Sequence, residues 1–168
     1  FTEEYNPKPG LLSGTFTGAS TDFAVGSTLL DTLSSGDYYG PDGKFAAHHR
    51  AFREQVKNLM QKHPEWFPEN HRVHDFCGGF GGMMKLTPFG GEKAPIMKLC
   101  RACFDEGLIL FYCGHDPFHV RMLPPLGVMQ DEHWPRVFEV LERAMARVAS
   151  EIETSASNEP RPMRKPYA

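Results

Sequence analysis

The chain holds 168 residues, 40% of them hydrophobic, with a formal net charge of -3. That is enough apolar material for one ordinary globular domain. The mild acidity argues against a nucleic-acid or anionic-membrane partner, and no apolar run is long enough to span a bilayer.

No charged-then-apolar export segment opens the chain. The four cysteines sit among eight histidines in a sequence too large and apolar to need disulfides. A reducing cytoplasm is therefore the expected compartment. The chain starts at Phe1, and the stretch from Thr2 to Gly10 reads as the interior of something longer. The expectation is a fragment of a larger protein.

Residues 1–20 read as loop, punctuated by Pro7, Pro9, Gly10, Gly14 and Gly18. A helix is predicted from about Asp22, with Phe23, Leu29, Leu30 and Leu33 as its apolar positions and Ser34-Ser35-Gly36 as its stop. Gly40-Pro41-Asp42-Gly43 is a turn. A second helix is predicted over Lys44 to Lys62, where Phe45, Phe52, Val56 and Leu59 recur at helical spacing. Pro64 ends it.

The period then changes. Arg72 to Cys77 and Gly82 to Thr87 read as two strands around a glycine cluster. A third helix is predicted from near Pro95, with Ile96, Leu99, Cys100 and Cys103 on one face and Gly107 as its cap. Leu108 to Tyr112 and Phe118 to Met122 read as strands, the second stopped by Pro124-Pro125. A last helix is predicted from about Asp131 to Ser150, with an apolar stripe of Trp134, Val137, Phe138, Leu141, Met145 and Val148. The polar tail holds Pro160, Pro162 and Pro166 and reads as mobile. This order implies an α/β fold with helices packed on a small, largely antiparallel sheet.

Four features could carry chemistry. Cys100-x-x-Cys103 with Cys113 and His115 has the residue types of a zinc site. The helical stripe instead places both cysteines of the pair with Ile96 and Leu99, where thiols act as small hydrophobes. Gly78-Gly79-Phe80-Gly81-Gly82 could cradle a phosphate, but that use needs a following helix. Met83 to Leu86 reads as a strand, so a strand-to-strand turn or bulge is expected. The histidines show no carboxylate partner at convincing spacing and are expected to be solvated or at the core edge.

The third feature is Gly14-Thr15-Phe16-Thr17-Gly18. It sets two hydroxyls just before a helix N-terminus, a place suited either to an anion or to simple capping. The fourth is Val120-Arg121-Met122-Leu123-Pro124-Pro125-Leu126. Two prolines stiffen the exit of a strand that carries an arginine, and a guanidinium held so can grip a carboxylate through two parallel hydrogen bonds. Alone, the arginine would read as a surface residue at a strand end.

In this order and separation, the blocks resemble class III aminotransferases. Gly14 to Gly18 before an apolar helix is similar to that family's Thr-x-Ser/Gly-Gly-Asn-Pro segment. Phe76 to Met84 resembles its Arg-Gly-x-Gly-Leu-Met strand pair. Asp105 to Leu110 resembles its Glu/Lys-Gly-Leu-Leu step. His119 to Leu126 resembles its Arg-x-x-Pro-Pro-Leu block. The resemblance runs from Gly14 to Ala149. It departs at Ala19-Ser20, where the family has Asn-Pro, and at Cys77, where the family has arginine. These departures leave the substrate class open.

The resemblance implies the C-terminal portion of a fold-type I enzyme that uses pyridoxal 5'-phosphate (PLP). It implies residues 1–35 as the end of the large domain and linking helix, 36–152 as the small domain, and 153–168 as a flexible tail. Thr15, Phe16 and Thr17 would bind the cofactor, with Thr15 reaching the phosphate of a partner subunit in a homodimer. Arg121 would bind the substrate carboxylate, and no metal is implied. The Schiff-base lysine is expected a few dozen residues before Thr15. Lys57, Lys62, Lys85, Lys93 and Lys98 lie in the wrong segments to replace it. The complete protein would move an amino group between an amino acid or amine and a 2-oxo acid, and this chain alone would be inactive. An aminomutase, racemase or decarboxylase on the same fold is one alternative. A non-catalytic, zinc-binding α/β module is another.

Overall fold

A computed structural model describes residues 18–158. The chain divides into two compact units, Phe1–Gly43 and Lys44–Ala168.

The first unit contains helix α1, Ser20–Ser35, which starts slightly before the predicted Asp22. Asp22 lies in its first turn, where a carboxylate complements the helix dipole. Thr28, Thr32 and Ser35 each donate a side-chain hydrogen bond to the carbonyl four residues back. The Gly36 N–H closes the helix on the Thr32 carbonyl at 3.0 Å. The predicted apolar positions Phe23, Leu29 and Leu30 are all more than half exposed. The turn before Gly43 is as predicted, with Gly40 at φ 85° and the Gly43 N–H on the Gly40 carbonyl.

The second unit begins with α2, Lys44–Lys62, on the predicted boundaries. It buries Phe52, Val56 and Leu59 at helical spacing. Strand β1 is Cys77–Phe80 and β2 is Met83–Leu86. The first of these corrects the sequence reading: the strand runs through the glycines, and Arg72 to Phe76 is not one. The reason is local. The Asn70 carboxamide oxygen accepts the N–H groups of both Arg72 and Val73 at 2.9 Å, which turns the backbone there. Gly79 then pairs with Met84 at φ 133°, where a Cβ would lie 2.1 Å from the Met83 carbonyl oxygen. The two-residue turn at Gly81-Gly82 closes the hairpin, as the glycine cluster suggested, and His49 Nε2 meets the Gly81 oxygen at 2.9 Å.

Helix α3 is Lys93–Asp105, with Pro95 in its first turn. It ends as predicted on Gly107 at φ 85°. The Leu108 N–H bonds the Cys103 carbonyl at 2.8 Å and the Gly107 N–H bonds the Phe104 carbonyl at 3.0 Å, a Schellman closure. That closure occupies the Leu108 N–H, so β3 is Phe111–Gly114 rather than the predicted Leu108 to Tyr112. Strand β4 is Phe118–Met122, as predicted. Helix α4 is His133–Asn158, running past the predicted Ser150.

The four strands form one antiparallel sheet in the order β1-β2-β4-β3. Met84, Leu86, Val120 and Met122 are buried on the face that meets the helices. They join Ile96, Leu99, Ala102 and Cys103 of α3 and the α4 stripe. Trp134 and Phe138 close the core against Phe52, with ring centroids 5.6 and 5.8 Å from its ring. The expected α/β architecture, helices on a small antiparallel sheet, is therefore observed. Leu141 is fully buried in that core. Leu141→Ala is expected to destabilise the protein by about 2–5 kcal/mol, read from the urea-unfolding midpoint.

Candidate anion-binding site

Alternation along β2 and β4 leaves a second face. With Met84, Leu86, Val120 and Met122 turned to the core, Lys85, His119 and Arg121 must turn the other way. The register puts them together. Lys85 lies directly across from Arg121, and Arg121 directly across from Phe111 on β3.

Arg121 is half-buried, and its guanidinium sits 5.5 Å from the Phe111 ring centroid. That placement gives the cation an aromatic wall, a contact worth about 0.5–2 kcal/mol. Its Nε is buried and has no hydrogen-bond partner among the described residues. Leaving such a donor unpaired costs about 1–3 kcal/mol. Among the described residues Arg72, Arg101, Arg136, Arg143 and Arg147 each hold a carboxylate, whereas Arg121 forms no ion pair. Just beyond it, the N–H groups of Val128 and Met129 both bond the Pro125 carbonyl at 2.9 Å, and Leu126 is buried, so the strand exit is anchored.

Lys85 lies over β1. Its Cε is 3.0 Å from the point where a Cβ on Gly78 would be, and Asp75 Oδ2 is 3.2 Å from that point. A side chain at position 78 would have to displace both ends by a few tenths of an ångström. His119 Nδ1 meets the hydroxyl of the fully buried Thr87 at 2.7 Å. Burial, and then the charge of Lys85, push the His119 pKa below its ordinary value, which favours the neutral ring. The face thus presents two cations and an imidazole.

Thr15, Phe16 and Thr17, the expected cofactor contacts, lie outside the described residues. Sequence reasoning singled out Arg121 but not Lys85, which the register places directly opposite it. It also missed two histidine pairings that span the chain. His63 Nε2 meets Glu142 Oε1 at 3.0 Å and stacks on Trp66 with centroids 3.8 Å apart. The contacts of Glu142 with His63 and then Lys62 hold its pKa below the usual carboxylate range. His48, expected to be solvated or at the core edge, is instead buried, and its Nδ1 accepts the Trp134 indole N–H at 3.2 Å. No spacing rule reaches partners so distant in sequence.

The cysteines behave as the helical stripe suggests. All four are free. Burial raises the Cys100 thiol to about 11 and the Cys103 thiol to about 12. No group of three or more His, Cys, Asp or Glu side chains among the described residues is placed to hold a metal ion.

No protein-family model matches the chain. A diaminobutyrate–2-oxoglutarate transaminase of Vibrio parahaemolyticus is 25% identical over 150 residues, covering 89% of this chain and 33% of that protein. Among solved structures, a lysine aminotransferase from M. tuberculosis has a TM-score of 0.59 at 19% identity, covering 84% of this chain and 29% of that one. An acetylornithine aminotransferase from Elizabethkingia anophelis has a TM-score of 0.57 at 20% identity, covering 84% of this chain and 32% of that one. The chain has the fold of part of a fold-type I aminotransferase. Its structural neighbours are class III aminotransferases, as the motif series implied. It spans about a third of the length of the Vibrio transaminase.

Within this aminotransferase fold the thiols are chemically quiet. At pH 8, Cys100 is expected to react with a thiol-specific disulfide reagent about a hundredfold slower than in the unfolded chain, and Cys103 slower still. The same shifts give a pH dependence of stability. Their contribution is complete below the ordinary thiol pKa of 9.0 and is lost as pH climbs through about 12. Denaturant midpoints measured across that window check it.

Proposed function

We propose that this chain is the C-terminal portion of a class III, PLP-dependent aminotransferase, and that Arg121 binds the substrate carboxylate. The half-buried guanidinium of Arg121, held over the Phe111 ring and without an ion pair among the described residues, supports this reading most directly. A substrate carboxylate would accept two parallel hydrogen bonds from the terminal N–H groups of the guanidinium and supply the ion pair it lacks. The Phe111 ring against one side of the guanidinium would limit the directions the fork can take, so the ligand would be oriented as well as held.

In the complete protein an amino group would pass between an amino acid or amine and a 2-oxo acid. PLP, when bound, supplies the electron sink for that chemistry. Thr15, with Phe16 and Thr17 beside it, would hold the cofactor phosphate of a partner subunit, which makes the working form a homodimer. Residues 1–35 would be the end of the large domain and its linking helix, 36–152 the small domain, and 153–168 a tail. The lysine that anchors the cofactor would lie upstream of Phe1, so the chain alone would not catalyse transamination. The protein would work in the cytoplasm.

The test uses the full-length protein. Arg121→Gln is expected to lower kcat/KM for an amino-acid donor about a hundredfold, mostly through KM, since it removes a charge-assisted pair worth about 2–3 kcal/mol. PLP absorbance of the variant should match the parent's, and kcat/KM for an amine donor without a carboxylate should be unchanged. Equal losses with both donors would refute the assignment of Arg121.

A further inference from the structure

The open sheet face carries more cation than one carboxylate needs. Lys85 and Arg121 stand directly opposite each other on adjacent antiparallel strands, on the same face. Directly opposed residues have Cβ atoms about 4.5–5.5 Å apart, and like charges in that relation repel. Neither forms an ion pair among the described residues, although ion pairs with carboxylates are common elsewhere in this unit. Asp75 stands near the Lys85 seat and makes no ion pair with it. His119, the next titratable group on the face, brings no negative charge to offset the repulsion, and burial lowers its pKa.

The two side chains part in opposite directions. Arg121 leans over Phe111 on β3, and Lys85 lies over the bare backbone of Gly78 on β1. In the strand order β1-β2-β4-β3 these supports are the two outer strands, and strands lie about 4.8 Å apart. The cations therefore stand to either side of the β2–β4 ladder, each seated on its own support. One carboxylate would have to draw both off those supports. Two acid groups on one ligand let each cation stay where it is.

We infer that Lys85 is a second anion-binding residue of this site, and that with Arg121 it selects a ligand carrying two acidic groups. The inference rests on the reading of Arg121 as the first carboxylate grip. Lys85 is then a specificity residue. It is not needed to hold a ligand with one carboxylate, and it favours one whose far end is also charged.

Glutarate and its monoamide separate the two roles, because they share length and shape and differ by one charge. Binding of each to the full-length protein is measured by calorimetry at low salt, for the parent and for Lys85→Gln, Lys85→Arg and Arg121→Gln. The parent should bind glutarate about tenfold more tightly than the monoamide, a typical effect for one added charge-assisted contact. Lys85→Gln should bring the two within about twofold without weakening the monoamide, Lys85→Arg should keep the preference, and Arg121→Gln should weaken both ligands. A parent that binds both ligands alike, or a Lys85→Gln protein that keeps the preference, overturns the role of Lys85 while Arg121 stands. An Arg121→Gln protein that binds both ligands as the parent does overturns the first grip, and the second falls with it. Circular-dichroism melts establish that each variant is folded. Should Lys85→Gln melt early, salt decides on the parent protein: the preference must fade as ionic strength rises from about 0.01 to 0.3 M, and a preference that persists overturns the inference.

Discussion

A small antiparallel sheet with helices on one side has to put every second side chain of its central strands on the other. Here that constraint sorts β2 and β4 cleanly. Met84, Leu86, Val120 and Met122 go into the core, and Lys85, His119 and Arg121 are left to the opposite face. A slip of one residue in the β2–β4 register would send two cations into the core and expose the apolar set. The core therefore specifies the register, and the register alone brings Lys85 beside Arg121. The candidate site is a consequence of how the sheet is buried.

Local chemistry then sets the fine geometry. The Gly81-Gly82 turn and the positive φ of Gly79 fix the β1–β2 hairpin, which supplies the bare strand that Lys85 lies over. The Schellman closure at Gly107 ends α3 four residues before β3, whose first residue, Phe111, pairs with Arg121.

How much of this could be read from the sequence follows from the range of each signal. Helical periodicity is local, so α2 was legible to its ends and the α4 stripe from Trp134 to Val148 was legible residue by residue. The strand at Phe118 to Met122 was equally plain, because apolar alternation and a double proline bound it. The strand before the glycines was not, because an Asn70 side chain that turns the backbone leaves no mark on periodicity. Arg121 was legible as a candidate through its prolines and through the resemblance of its block to an aminotransferase motif. Lys85 was not, since nothing within either strand states which residue of β4 it will face. His63 and Glu142, or His48 and Trp134, are likewise joined only by the tertiary fold.

Stability and recognition consequently occupy different faces of the same four strands. The helix-facing side is close-packed around Phe52, Trp134, Phe138 and Leu141, where lost volume is costly. The other side holds Lys85 and Arg121 opposite each other, neither in an ion pair among the described residues, an arrangement that does not favour folding. Such a division lets the ligand-facing residues change without disturbing the core that positions them. It is also compatible with a fold shared with known aminotransferases at about 20% identity, since the alternation and volume that the core requires can be met by many sequences.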